Sequence, residues 1–331
     1  MVEGIQALIV GCGRFGKNYA RILSGLAKEE VFAIESITIT RTTAEAAAKT
    51  AAELSEATGF PIHYNLVRNR ADLADLLSHL RPEFTAVTAK DSAEGDSIHL
   101  PYSFDALNYG IVLCEKPLSN ATGDGSSLHQ IKEWRSNPEL DKTVPFSLEL
   151  PMAVVSQKIM ENPELADRFQ NAKKIVFYWV CRGTGRPDVI DNLVLHPWSL
   201  IPEDYKLLNA DVNDKGETAH INLGYLVNGR HVNVEINLAY GGNFTGFSID
   251  GFGIGIKRTG VLNEVIRLEN NIEDALCDGN DLIIGKPLVD PVENPLGQHI
   301  VSSLQGKRIV GPRRTYQSQH FLETLKGYKG I

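Results

Sequence analysis

The sequence predicts an α/β domain with a doubly wound, mostly parallel sheet, followed by an α+β region built on a mostly antiparallel open sheet. Three observations predict it. Strand-like and helix-like segments alternate as far as Glu115. The first strand-like segment, Ile5–Val10, is an apolar run that leads straight into a glycine-rich turn. From Thr218 onward, hydrophobicity alternates at period two.

The elements follow in order. Ile5–Val10 has the composition of a parallel strand buried on both faces. Arg14–Leu26 places Phe15, Tyr19, Ile22, Leu23 and Leu26 at helical spacing. Phe32–Thr40 carries the β-branched run Ile37-Thr38-Ile39-Thr40 and reads as a strand. Ala44–Ala57 is alanine-rich and helical, stopping at Gly59 before Pro61. Asn69–Leu80 is amphipathic, with Leu73, Leu76, Leu77 and Leu80 on one face. Phe84–Ala89 reads as a strand, His99–Asn108 as a helix ended by Gly110, and Ile111–Cys114 as the next strand.

The style changes after about residue 118. Ser126–Arg135 reads as a helix and Val144–Leu148 as a last strand of the first domain. The expected division is therefore a first domain over residues 1–120, a segment to about 150 that completes its sheet, and a second domain over the rest. Lys174–Cys181 opens that second region. In His231–Tyr240 the apolar set Val232, Val234, Ile236, Leu238 and Tyr240 faces one way; His231, Asn233, Glu235 and Asn237 face the other. Phe244–Lys257 repeats the style with many glycines, and Thr315–Leu325 closes as a helix.

Composition narrows the classes. A chain of 331 residues is long for one core and comfortable for two domains. With 43% hydrophobic and 22% charged residues it is ordinary globular material, and its longest apolar runs, such as Ile175–Val180, are too short to span a bilayer. A net charge of -8 with scattered Lys and Arg argues against a nucleic-acid partner. Cys12, Cys114, Cys181 and Cys277 form no CxxC pair and have no His at zinc-like spacing, so no metal is expected and reduced thiols point to the cytoplasm. The opening residues show no basic region or cleavage site, so no signal peptide is expected and the sequons at Asn120 and Asn243 carry no weight.

Gly11-Cys12-Gly13-Arg14-Phe15-Gly16 matches GxGxxG directly after a buried strand and at the start of a helix, the context that a dinucleotide-binding Rossmann turn requires. Gly11 permits the tight turn, Gly13 lets a pyrophosphate approach the backbone, and Gly16 lets the helix pack on the strand. The helix N-terminus then offers free N–H groups to the phosphates. An NAD site usually has an acid at the end of the second strand. Here Thr40-Arg41-Thr42-Thr43 supplies an arginine and hydroxyls instead, and Glu35 lies too early. Arg41 can grip a 2′-phosphate, so NADP(H) is expected to be preferred, with NAD(H) second.

Glu115-Lys116-Pro117 follows a buried strand, at the end of the sheet where ligands bind. A lysine whose pKa falls from ~10.4 towards about 7–8 by burial can exchange the proton that accompanies hydride transfer. A lysine in such a loop is as often plain surface.

On the glycine motif, the stretch Ala106-Leu-Asn-Tyr-Gly110-Ile-Val-Leu-Cys-Glu115-Lys116-Pro117 and the overall layout, the sequence resembles the glucose–fructose oxidoreductase/inositol dehydrogenase (Gfo/Idh/MocA) family. The resemblance implies an NAD(P) cofactor and a catalytic lysine at Lys116. It also implies a C-terminal sheet domain that holds a small-molecule substrate and builds homodimers or homotetramers. It places the cofactor among Gly11, Cys12, Gly13, Arg14, Phe15, Gly16, Arg41, Thr42, Thr88, Ala89, Glu115 and Lys116.

The family usually carries Asp-x-x-x-His in the second domain. Here Asp188-Val-Ile-Asp191-Asn192-Leu-Val-Leu-His196-Pro-Trp198 puts Asn192, not Asp191, one helical turn before His196. His196 stays a proton donor or substrate clamp, beside the alternative of a core histidine. Trp198 is a stacking platform or a core residue, and Arg182 and Arg186 are anion ligands or solvated loop residues. Two further departures, the loop after Thr88-Ala89 and the strand end Ser147-Leu148-Glu149, predict a substrate unusual for the family.

The expected activity is an NADP(H)-dependent dehydrogenase or reductase acting on a sugar, cyclitol or related carbonyl or hydroxyl compound. Reduction of a C=N bond is the enzymatic alternative. A silent dinucleotide-binding scaffold is the non-enzymatic one, since fold does not fix function.

Overall fold

The computed structural model describes residues 4–89, 98–119, 131, 134, 137, 139–181, 189–242, 244–270, 272 and 284–328. The chain divides into two compact units. The first comprises residues 1–149 and 299–319, the second residues 150–298 and 320–331.

In the first unit, β1 (Ile5–Val10), α1 (Arg14–Lys28), β2 (Ile34–Arg41), α2 (Ala44–Thr58), β3 (Ile62–Leu66), α3 (Arg70–Leu80), β4 (Phe84–Val87), α4 (His99–Leu107) and β5 (Ile111–Glu115) alternate as expected. A short helix α5 (Leu140–Thr143) then precedes β6 (Phe146–Glu149). The strands lie in the order β3-β2-β1-β4-β5-β6, every pair parallel. The chain runs outward from β1 to β3, then jumps back across β1 to β4. The strand order therefore reverses between β1 and β4, and the crevice at their carboxyl ends is the ligand position of such sheets. β1 is central, and Ala7, Leu8 and Ile9 are fully buried.

Local chemistry sets the boundaries. Thr43 caps α2 by accepting from Ala46 N, Asn69 caps α3 by accepting from Asp72 N, and Gly59 ends α2 at φ 64°. β3 is an edge strand whose sequence, Ile-His-Tyr-Asn-Leu, buries only Ile62, so it carries no hydrophobic signal to read. The helix expected over 126–135 lies largely outside the described residues. Its Trp134 is buried edge-on to Phe104, with ring centroids 5.6 Å apart.

The second unit opens with α6 (Pro151–Met160), α7 (Pro163–Asn171), β7 (Lys174–Cys181), α8 (Val189–Leu193) and α9 (Leu195–Trp198). It continues with β8 (Lys206–Asp214), β9 (Thr218–Val227), β10 (Arg230–Tyr240), β11 (Phe244–Ile249), β12 (Phe252–Thr259), β13 (Leu262–Leu268), β14 (Ile284–Pro287) and β15 (Val292–Glu293). The sheet runs β14-β13-β12-β11-β7-β10-β9-β8, with β15 paired to β13, and is antiparallel except where β7 meets β10. Val232, Val234, Ile236 and Leu238 are buried, and His231 and Asn233 are exposed, as the period-two pattern requires. The glycine-rich stretch from Phe244 resolves into a hairpin. Asp250 and Gly251 both take positive φ (48° and 82°), as the tight two-residue turn demands.

Two helices close the chain, α10 (Pro295–Leu304) and α11 (Pro312–Tyr328). The sequence does not foresee that residues 299–319 return to the first unit. There Val310 O accepts from Leu148 N (2.9 Å) and Ser147 Oγ (3.1 Å), covering the free edge of β6.

His299, in α10, is fully buried, and neither ring nitrogen has a partner among the described residues. Burial lowers its pKa from 6.5 to about 4. Between those values the unfolded chain binds a proton that the folded chain does not, so stability falls as the pH drops through that window. His299→Leu should flatten this acid limb. Thermal melts at neutral pH and near the middle of the window should show the wild type losing about 2 kcal/mol more than the variant.

Candidate functional site

The glycine loop sits at the carboxyl end of β1. Gly11 has φ 80°, and a Cβ there would lie 2.3 Å from the Ala89 Cα. Only glycine closes this turn against the β4 end. A Cβ on Gly16 would lie 2.8 Å from Thr88 Oγ1 and 3.2 Å from Ile9 Cγ2, so α1 packs directly on the strand layer. A Cβ on Gly13 would meet no atom closer than 3.9 Å, which leaves the backbone open to approach. Gly13 caps α1 without a side chain, and the first turn of α1 has no acid. The N–H groups and the dipole of α1 therefore face an uncompensated site for anionic oxygens. These are the features that the two phosphates of a dinucleotide need, and the residues fit the group.

The loop is tied from both sides. Thr40 Oγ1 accepts from Gly11 N (2.9 Å) and Thr40 O from Cys12 N (2.9 Å). Thr88 is buried and donates from Oγ1 to Gly11 O (3.0 Å) and to Val10 O (3.2 Å). Thr88 and Ala89 thus act as the floor of the turn. Thr40 stands in the junction whose hydroxyls the sequence offers to the cofactor; in the structure its hydroxyl fixes the glycine loop. Cys12 is buried beneath the loop, and burial pushes its thiol up to about 11 against the opposing pull of Arg41, so it stays protonated. Arg14, Phe15 and Thr42 are exposed, Phe15 at 48%.

Arg41 ends β2 and donates from Nη1 to Cys12 O at 2.8 Å. Its guanidinium therefore lies against the glycine loop. This bond uses one of the five N–H donors of an arginine.

Glu115 and Lys116 stand at the carboxyl end of β5, next to β4 in the sheet. The Lys116–Pro117 peptide is cis. Two buried side chains hold the turn that carries Lys116. His99 Nδ1, from α4, is 2.6 Å from Pro117 O. Gln319, from α11, accepts from Ser119 N (3.2 Å) and donates to Ser119 O (3.1 Å). Neither anchor was legible as such, because hydrogen bonds across 18 and 200 residues leave no periodic trace.

The second-unit candidates need corrections. Asn192 and His196 do not share one regular helix: Asn192 belongs to α8 and His196 to α9, with a turn at Val194 between them. Asp191 pairs with Lys326 Nζ at 3.1 Å. His196 is half-buried and stacks on Trp179 (centroids 5.6 Å apart, planes at 8°), a partner the sequence reading missed. Trp198 is buried and stacks on Phe321, so it is a core residue and not a ligand platform. Arg182, Arg186, the loop at 90–97, Cys277 and both sequon asparagines lie outside the described residues. Among the described residues, no group of His, Cys, Asp and Glu could hold a metal ion, and no helix is long and apolar enough to cross a membrane.

Residues 5–137 match the model of the Gfo/Idh/MocA oxidoreductase family, NAD-binding Rossmann fold. No curated protein matches the chain. Among solved structures, glucose-6-phosphate 1-dehydrogenase from Mycobacterium avium aligns with a TM-score of 0.62 at 11% identity, covering 98% of this chain and 91% of that one. The dehydrogenase MviM from Clostridium difficile gives 0.58 at 13%, covering 98% and 99%. The yvaA protein of Bacillus subtilis, described as an oxidoreductase, gives 0.59 at 12%, covering 98% and 97%. At such identities these likenesses show the fold alone, and they show it for nearly the whole chain. The family match falls on the strands and the turn built above: residues 5–137 are similar to the NAD-binding Rossmann domain of the Gfo/Idh/MocA oxidoreductase family.

Proposed function

We propose that the chain transfers hydride between NADP(H) and a sugar, cyclitol or related carbonyl or hydroxyl compound, with Lys116 moving the accompanying proton. The bound dinucleotide supplies or takes the hydride; the chain's own residues bind, orient and move protons. The observation that carries this reading is the anchored turn that presents Lys116 at the carboxyl end of β5, in the same sheet whose strand-order reversal carries the glycine loop. A primary ammonium there can donate to an oxygen that gains negative charge as hydride arrives, and take the proton back in the reverse direction. His196 is the second proton-transfer candidate.

The preference for NADP(H) rests on Arg41 and on the lack of an acid at the end of β2. A 2′-phosphate beside Arg41 would gain a charge-assisted bond worth about 1.5–3 kcal/mol. Arg41→Ala should therefore weaken NADPH binding roughly 10- to 100-fold and leave NADH binding nearly unchanged. Isothermal titration of both variants with both nucleotides measures this, and equal losses for the two would remove Arg41 from phosphate recognition. Activity is tested by following NADPH consumption with a panel of sugars, ketones and imines. Turnover with imines alone would favour C=N reduction, and binding without turnover across the panel would favour the scaffold reading. The exposed face of β8–β10 is the proposed contact between copies in a homodimer or homotetramer, which light scattering in solution checks.

A further inference from the structure

Two carboxyl groups end neighbouring strands behind the lysine. Glu115 closes β5 and Glu149 closes β6, and the parallel register pairs them directly. Glu149 is only 5% exposed. Tyr19, from α1, is fully buried beside it, and its hydroxyl faces Glu149 without completing a hydrogen bond of ordinary geometry. Lys116 follows Glu115 in the chain, and its ammonium stabilises the Glu149 carboxylate. Among the described residues, the titratable groups that face Glu149 are therefore Glu115 at the end of β5, Lys116 in the turn after it and Tyr19 from α1.

Two neighbouring carboxyls, one of them closed to water, cannot both ionise cheaply. Burial first, and then the charge of Glu115, push Glu149 up to about 8. Burial and the nearby acids also raise Tyr19 well above its ordinary value, so the phenol stays neutral. At neutral pH Glu149 therefore keeps its proton.

We propose that Glu149 is a positioning residue for Lys116: buried beside the half-buried Glu115 in the β5–β6 register, its proton sets the charge that the lysine meets on its sheet side. The proposal rests on Lys116 being the proton-transfer group. With one negative charge behind it, the ammonium is held in place and still able to give up a proton. With two, it is locked as the cation.

The test uses ligand-free protein, so it needs neither a known substrate nor a bound nucleotide, and its failure is separate from failure of the proposed activity. Trace acylation of lysines is followed by mass spectrometry across pH in the wild type and in Glu149→Gln. Below the Glu149 midpoint the two proteins should label Lys116 alike. Above about pH 8 the variant should label about tenfold faster, because its lysine no longer faces a second anion. Curves that superimpose, or that differ by a constant factor at every pH as a merely structural change would give, overturn the proposal. Infrared spectra of the wild type alone provide a check that survives a misfolded variant. They should show a protonated-carboxyl C=O band at neutral pH that vanishes through about pH 8; its absence at neutral pH overturns the proposal.

Discussion

Replacing Lys116 with alanine should lower turnover by about 10²–10⁴-fold while nucleotide affinity stays unchanged. The separation follows from the geometry. Lys116 sits at the end of β5, two strands from the glycine loop at the end of β1. The turn that presents it is held by His99 on Pro117 and by Gln319 on Ser119, contacts that do not involve the lysine side chain. The alanine variant keeps these anchors and loses only the proton donor. Steady-state kinetics paired with a binding titration decides the matter. Full activity in Lys116→Ala would remove the lysine from the mechanism. Loss of activity and binding together would show that it serves the cofactor site instead.

The second large effect separates two glycines that look equivalent in the sequence. Gly11→Ala should destabilise the protein by several kcal/mol and abolish nucleotide binding. The new Cβ would sit 2.3 Å from the Ala89 Cα, a backbone atom that cannot swing away, and φ of 80° is strained for an L-residue. Gly13→Ala should cost much less stability than Gly11→Ala, since φ is negative at -82° and the nearest atom is 3.9 Å from the new methyl. It should still cost at least about tenfold in nucleotide affinity, because the methyl fills the space that a pyrophosphate must approach. Melting curves and titrations on the two variants distinguish these cases. Equal stability losses at both positions would contradict the geometry described for the loop.

Much of the first unit was readable because its signals are local. The glycine loop, the stop at Gly59 and the apolar β1 each declare themselves within a few residues. β3 was not readable, because an edge strand that buries only Ile62 has no hydrophobic pattern. The return of residues 299–319 to cover β6 was hidden for a different reason, since it depends on contacts such as Ser147–Val310 made across 163 residues. In the site, the residue types at Gly11, Gly13, Gly16, Arg41 and Lys116 suggested their chemistry by type and position. Thr40, His99 and Gln319 did not, because their roles exist only once strands and helices are packed together. Glu149 stood out only as an unusual strand end, and its burial beside Glu115 became visible with the β5–β6 register. His196 was singled out, but its stacking on Trp179 could not be read from a separation of 17 positions.

The most direct test of the account is a fluorescence titration of the wild-type protein with NADPH and with NADH. The account predicts saturable binding of both with a clear preference for NADPH, from the open Gly13, the uncapped α1 and Arg41 at the loop. A preference for NADH would overturn the role given to Arg41. Failure to bind either nucleotide would contradict the central claim that this loop holds a dinucleotide.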